Sequence, residues 1–393
     1  MTDFIYFFIF TSNNHFEMGN RENRFRIVVK TLKGLENVLK GELLQLEVDD
    51  VRVFTRAVSF FGNKEMLYKS NLLLRTAQSV LMPVGSFSIR NGDELYNQVY
   101  KIPWDSYFGN NQSIMIEPVV KSELFRHTLF AAQKAKDAIA DYFRNKTGKR
   151  PDVDKENPAI RINLHINKDH CTISLNSSGE PLFKRGYRQE TDIAPINEIL
   201  AAGMIILSGW DRKRSLIDPM CGSGTILIEA AMIAAGMAPN LRRQSFSFFN
   251  WNDIDINLGS SLRKSAEEKI SNFEVPLTGY DVSPRAFRIA KENIRNAGFD
   301  KEIRLSCSSF TEMKANTGSF IITNPPYGER IATDDIIQLY KQFSSTLSEK
   351  VKSADVYIIT SNREALKEIE FKQASAHELM NGRLSCQFVN FKT

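Results

Sequence analysis

One stretch narrows the folds open to this chain more than any other: an apolar strand ending in an acid, then a glycine turn, then an apolar helix. It starts at Leu216-Ile217-Asp218, runs through Pro219-Met220-Cys221-Gly222-Ser223-Gly224, and enters a helix predicted over 225–235. A helix at 196–207 leads into it. Strands follow at 277–280, 320–323 and 356–360, and helices at 285–296 and 336–351. Alternation of this regularity calls for a doubly wound, mostly parallel sheet. Near the end, Asn381-Gly382 lies between two strand-like runs. That dipeptide favours a type I′ hairpin turn, so the sheet is expected to close with an antiparallel pair.

Ahead of residue 186 the pattern is different. Strands are predicted at 25–30, 51–54, 58–61 and 114–120, with a hairpin of 160–166 and 171–175 around Asn167-Lys168-Asp169. Helical spacing of apolar residues marks 35–46, 64–74 and 127–143, the last ending near Gly148. Elements that do not strictly alternate point to small α+β units. The apolar run from Phe4 to Phe10 follows an acid and is far shorter than the roughly 20 residues a membrane span needs. With Met18 just ahead of the first patterned segment, residues 1–24 read as an extension outside the fold.

At 393 residues, with 42% hydrophobic and 25% charged, the chain suits two or three soluble globular domains. A net charge of +5 tilts only weakly towards a nucleic-acid partner. Cys171, Cys221, Cys307 and Cys386 are far apart and form no Cys-x-x-Cys pair. That excludes a zinc cluster or disulfide framework and fits reduced thiols in the cytoplasm. The five histidines form no His-x-x-His pair, so no metal is expected.

Three constellations carry chemistry. The turn from Asp218 to Thr225 lies beyond a strand's carboxyl end, where open α/β sheets bind ligands. It has no P-loop lysine, and Leu227 stands where a dinucleotide fingerprint needs a small residue. Gly279-Tyr280-Asp281 places an acid at the tip of the next strand, positioned to accept ribose hydroxyls. A dinucleotide unit spaces the turn and this acid by roughly 20 residues, so 236–275 is an insertion. Its aromatics, Phe246, Phe248, Phe249 and Trp251, either shape the site or pack.

The third constellation, Asn324-Pro325-Pro326-Tyr327, follows the strand at 320–323. A base amino nitrogen is a poor nucleophile because its lone pair is delocalised into the ring. Two acceptors that bind both amino hydrogens expose that lone pair to a methyl carbon. The Asn324 side-chain oxygen and the Pro325 carbonyl suit this role, and proline stiffens the turn. Tyr327 offers a flat face for an extruded base, worth roughly 1–3 kcal/mol. No general base is required, since the amine can lose its proton after alkylation.

In order, Asp-Pro-x-Cys-Gly-Ser-Gly-Thr, Gly-x-Asp and Asn-Pro-Pro-Tyr-Gly-Glu-Arg resemble the motifs of amino-directed class I methyltransferases. Lys184-Arg185-Gly186-Tyr187-Arg188 and Ala194-Pro195-x-x-Glu198-x-x-Ala201-Ala202 narrow the resemblance. The chain is similar to the bacterial THUMP-containing family that methylates guanine N2 of large-subunit ribosomal RNA, whose members often carry the label N6-adenine-specific DNA methylase. The resemblance implies S-adenosylmethionine as cofactor and an α/β, Rossmann-like methyltransferase domain at 186–393. It also implies a ferredoxin-like segment at 25–80 and a THUMP RNA-binding domain at 81–185. It places Asp218, Cys221, Gly222, Ser223, Gly224 and Thr225 along the methionine end of the cofactor and Asp281 on its ribose. Pro195 and Glu198 then help close the pocket. Relatives often carry an acid near the adenine amino group where this chain reads Ser308-Ser309-Phe310. There Ser309 is left to bond the adenine and Phe310 to pack on it. Lys146, Lys149, Arg150, Lys184, Arg185 and Arg188 are candidate RNA phosphate contacts. With one methyltransferase domain, a single methylation is expected.

The expected partner is 23S ribosomal RNA or an assembling large ribosomal subunit, with no membrane. A transfer RNA guanine-N2 methyltransferase and an adenine-N6 DNA methyltransferase are the alternatives, and a non-catalytic RNA-binding assembly factor is a remoter one. No helix-turn-helix or target-recognition pattern supports DNA, and an intact Asn324 to Tyr327 turn argues against loss of catalysis.

Overall fold

The computed structural model describes residues 24–188, 195–326 and 333–393. Two seven-stranded sheets organise the chain, one on each side of residue 185. The first is built from β1 (Phe25–Lys30), β2 (Asp49–Phe54), β3 (Ala57–Gly62), β4 (Ser79–Ser88), β5 (Ile114–Lys121), β6 (Ile160–Asn167) and β7 (His170–Asn176). Between them run α1 (Glu36–Leu44), α2 (Lys64–Leu73), α3 (Gly92–Tyr100) and α4 (Thr128–Thr147). The strand order is β2-β3-β1-β4-β7-β6-β5, and β5 with β6 is the parallel pair.

Strand β4 was not expected, and it joins the two α+β units through a shared sheet. Its first residues pair antiparallel with β1 and most of its length pairs with β7, so one sheet runs through both halves. The border expected at 80/81 falls inside this strand. Pro83 and Gly85 hide it in the sequence, because both residues disfavour strand interiors. The structure accommodates them by a register shift between Pro83 and Gly85. Helix α3 also escaped notice. It buries only Leu95 and Val99, and Asn91 caps it by accepting from the Asp93 and Glu94 N–H groups.

The second sheet contains β8 (Leu216–Asp218), β9 (Leu277–Tyr280), β10 (Ile303–Ser306), β11 (Phe320–Thr323), β12 (Asp355–Thr360), β13 (Lys372–Asn381) and β14 (Leu384–Lys392). Its longer helices are α5 (Glu198–Leu207), α6 (Thr225–Ala234), α7 (Ile256–Glu268), α8 (Pro284–Ala297) and α9 (Thr333–Lys350). The order β10-β9-β8-β11-β12-β14-β13 bears out the α/β expectation: a parallel sheet closed by an antiparallel terminal hairpin. The hairpin turn differs in detail. Asn381 still pairs with Leu384, so the loop is Gly382-Arg383. Only Gly382 has positive φ, at 62°. Glycine at the first loop position with an ordinary residue second is the type II′ arrangement, not type I′.

Chain order places the crevice. From β8 the chain winds outwards through β9 and β10, then returns to β11 on the other side of β8. The turns after β8 and β11 therefore diverge at a topological switch point, where such sheets bind ligands.

The insertion aromatics pack rather than shape that crevice. Phe246, Phe248 and Trp251 are buried in the same cluster as β1, β3 and α2 of the first sheet. Phe248 stacks on Tyr68 with ring centroids 4.2 Å apart. Arg243 fastens the stretch ahead of residue 185: its guanidinium donates to the carbonyls of Ser178, Glu180, Pro181 and Lys184. Among the described residues no helix is long and apolar enough to cross a membrane.

Candidate active site

The glycine turn is fixed from several sides. The Cys221 N–H donates to the Tyr280 carbonyl at 2.9 Å and the Gly224 N–H to the Cys221 carbonyl at 2.8 Å. Gly222 and Gly224 have φ of 52° and 77°, left-handed values that cost other residues energy. Among the described residues a β-carbon on Gly222 would meet nothing within 4 Å, so its outer side faces space into which a ligand can come close. Gly279 behind the turn has a different reason. A β-carbon there would lie 2.5 Å from Leu227 Cδ1 and 3.1 Å from Cys221 Sγ, so its absence lets α6 press onto β9. Cys221 itself is buried, and burial pushes its thiol well up. It acts from behind the turn as packing.

Asp281 accepts the Gly222 N–H on one carboxylate oxygen and the Ser283 N–H on the other, both at 2.9 Å. It thus ties the two turns together. A carboxylate has about four acceptor positions, so capacity for hydroxyl donors remains.

Asp218 is buried at the end of β8, accepting from Thr323 Oγ1 at 2.9 Å and from the Met220 N–H at 3.3 Å. Burial lifts its carboxyl to about 7, with the nearby Asp281 charge adding to the effect. Thr323 ends β11, directly before Asn324, so this bond links the glycine turn to the Asn-Pro-Pro turn. Sequence reasoning did not single out Thr323. Its signal was slight, a hydroxyl closing an otherwise apolar strand.

At Asn324 the side-chain oxygen is shielded from water and has no hydrogen-bond partner among the described residues. Leaving a buried acceptor unpaired typically costs about 1–3 kcal/mol, which a ligand N–H would recover. Pro325 is buried and Pro326 half-buried beside it. Tyr327 lies outside the described residues.

The adenine expectations fare unevenly. Ser309 Oγ accepts from the Thr311 N–H, which leaves its own hydroxyl hydrogen to donate. Phe310 is 5% exposed and meets Phe343 edge-on at 5.4 Å, so its ring belongs to the core and offers little face to an adenine.

Two of the three basic residues singled out in the Lys184 to Arg188 segment are not surface phosphate contacts. Arg185 is 2% exposed. It donates to the Leu182 and Arg75 carbonyls and pairs with Glu229 at 3.5 Å, joining the two halves from inside. Arg188 reaches the glycine turn instead, donating to Thr225 Oγ1 at 2.7 Å and pairing with Glu198 at 2.9 Å. Lys184 is exposed and paired with Glu180. Lys146 is exposed beside Asp105, and Lys149 and Arg150 are exposed. Half-buried Pro195 leads into α5, whose buried first residue is Glu198.

Asn293 was also missed. Its Nδ2 donates to the Ser223 carbonyl at 3.1 Å and holds the turn from α8. A polar residue on the buried stripe of Ala286, Ile289, Ala290, Ile294 and Ala297 was the available signal. Among the described residues no group of His, Cys, Asp and Glu could hold a metal ion.

Comparison with known proteins meets this geometry at several levels. The family described as RMKL-like, methyltransferase domain, matches residues 185–390. A THUMP domain matches 90–176, and an RlmL ferredoxin-like domain matches 26–81. The ribosomal RNA large subunit methyltransferase K/L of Syntrophotalea carbinolica is 36% identical over 91% of the chain and 52% of its own length. The chain thus spans about half the length of the K/L relatives it matches. A candidate RNA methyltransferase of Synechocystis, slr0064, is 32% identical over 92% of this chain and 94% of its own. The crystal structure of SMU.472 complexed with SAH superposes with a TM-score of 0.86 at 30% identity, covering 94% of this chain and 98% of that one.

Proposed function

Because the chain belongs to the family of RMKL-like methyltransferase domains, we propose that it methylates an exocyclic amino nitrogen of an RNA base, guanine N2 of 23S ribosomal RNA, using S-adenosylmethionine. The observation that carries this reading is the Asn324 oxygen at the switch point, buried and unpartnered among the described residues, one residue from the Thr323 bond to Asp218. An acceptor in that condition suits an amino group that brings its own hydrogens.

The residues present fit the cofactor. Open space over Gly222 admits a ligand against the backbone, and Asp281 retains acceptor capacity for ribose hydroxyls. When bound, the cofactor supplies an electrophilic sulfonium methyl group. Asn324 and the Pro325 carbonyl hold the two amino hydrogens of an out-turned base, turning its lone pair towards that carbon. Tyr327 provides the stacking face. Residues 81–185 form the RNA-binding part in the cytoplasmic protein, with Lys184, Lys146, Lys149 and Arg150 towards phosphates.

The test is direct. Purified protein is incubated with labelled cofactor and unmodified 23S ribosomal RNA, transfer RNA or duplex DNA, followed by nucleoside analysis. The expected product is N2-methylguanosine in ribosomal RNA alone. N6-methyladenine in duplex DNA would replace this reading with the DNA one, and labelled transfer RNA would move the substrate. Silence on all three RNA and DNA species would favour a non-catalytic assembly factor.

A further inference from the structure

Arg188 stands out because it was expected to face RNA and instead lies against the glycine turn. Its side chain is 12% exposed, and that of its partner Glu198 is 7% exposed. The guanidinium makes four contacts among the described residues. Nε donates to Glu198 Oε1 at 2.9 Å, and Nη2 donates to Thr225 Oγ1 at 2.7 Å and to the Ile196 carbonyl at 3.3 Å. Nη1 reaches Ser223 Oγ at a long 3.4 Å. Arginine carries five N–H donors, two of them on Nη1. The strong contacts therefore fix the plane of the group and, among the described residues, leave Nη1 with only the long contact to Ser223.

The surroundings favour an anion at that edge. Gly224 is the N-cap of α6 and supplies no side-chain cap, so the positive end of that helix carries N–H groups that no capping side chain satisfies. The fork of a guanidinium matches a carboxylate in shape as well as charge. With the ribose end of the cofactor at Asp281, on the strand-tip side of the turn, its amino-acid end falls on the helix side, where Ser223, Thr225 and Arg188 meet. The α-carboxylate is the one anionic group of S-adenosylmethionine.

We propose that Arg188, held in plane by Glu198 and Thr225, recognises the α-carboxylate of the cofactor. This rests on the methyl-transfer reading and assigns one subsite within it. The recognition is electrostatic and involves no covalent step. It also explains why the cation is withdrawn from the surface: a screened, solvated arginine would discriminate poorly.

The experiment compares two ligands by titration calorimetry on the full chain. S-adenosylhomocysteine carries the amino-acid head, and 5′-methylthioadenosine keeps the adenosine and thioether but lacks it. In Arg188→Ala the Kd of S-adenosylhomocysteine is expected to rise about tenfold to a hundredfold, while that of 5′-methylthioadenosine stays within about twofold. Arg188→Lys keeps a cation beside Glu198 and is expected to show a smaller loss, again confined to S-adenosylhomocysteine. That variant decides the matter if the alanine one does not fold. Equal weakening of both ligands would mean that Arg188 only shapes the turn, and unchanged S-adenosylhomocysteine binding would mean that the carboxylate lies elsewhere. Either result overturns the assignment. Failure of the unmodified protein to bind S-adenosylhomocysteine at all would sink the methyl-transfer reading with it.

Discussion

Removing the Asn324 amide deletes an acceptor that is buried without a partner among the described residues, so the folded protein loses little and the reaction loses much. Asn324→Ala is expected to lower kcat by about a hundredfold to a thousandfold, the usual effect of losing one oriented polar group at a reacting centre. S-adenosylhomocysteine affinity should hardly change, and single-turnover rates beside calorimetry check both halves. Asp218 yields a pH dependence. Burial raises it from 3.8 to about 7, so between those values the folded chain holds a proton that the unfolded chain has released. Its contribution to stability is full below about pH 4 and is lost as pH rises through 7. Asp218→Asn keeps an acceptor for Thr323 and removes the charge. The ligand-free variant is expected to be more stable than the parent at pH 8, by up to about 4 kcal/mol. Urea unfolding at pH 5 and pH 8 reads this, and the gap should shrink at the lower pH.

Among the elements, α6 and β9 depend on each other at a single missing methyl group. In Gly279→Ala the new carbon would stand 2.5 Å from Leu227 Cδ1 and 2.8 Å from Leu305 Cδ2. Both neighbours are side-chain tips and can move, but they sit in a packed core. The substitution is expected to destabilise by about 1–3 kcal/mol, the usual range for overpacking, and to displace the turn that α6 carries. A melting temperature lowered together with weaker S-adenosylhomocysteine binding would show both effects. Intact stability would mean that the helix can ride outwards freely. β4 illustrates the reverse relation between element and sequence: its residues argue against a strand, yet neighbours on both edges impose one.

For the whole molecule, the two halves are joined through buried contacts rather than a loose tether. Leu35 and Leu72 from the first half lie in the same cluster as α5 and α6 of the second. Gly34 marks one close approach of the two backbones. It has φ of 95°, and a β-carbon there would fall 2.3 Å from the Glu378 carbonyl oxygen of β13. Since backbone cannot swing aside as a side-chain tip can, Gly34→Ala is expected to loosen the docking of the halves. Limited proteolysis around residue 185 should then speed up, while an unchanged cleavage rate would show that this contact does not hold the halves together.

Legibility followed the reach of each interaction. Strand β8, helix α6, the acids at 218 and 281 and the Asn-Pro-Pro turn could be read from sequence, because each is set by neighbours within a few positions: apolar periodicity, a glycine turn, an N-cap. The α/β class and the parallel sheet with its hairpin followed from the order of those elements. Other features depended on residues distant in sequence. Arg185 and Arg188 look alike on paper, three positions apart in the same basic run. Only the packed halves decided that one would be sealed against Glu229 and the other would reach Thr225. β4 and the insertion aromatics are similar cases. Local pattern encodes the preference of a segment, whereas desolvation and pairing across the core settle what each side chain finally touches.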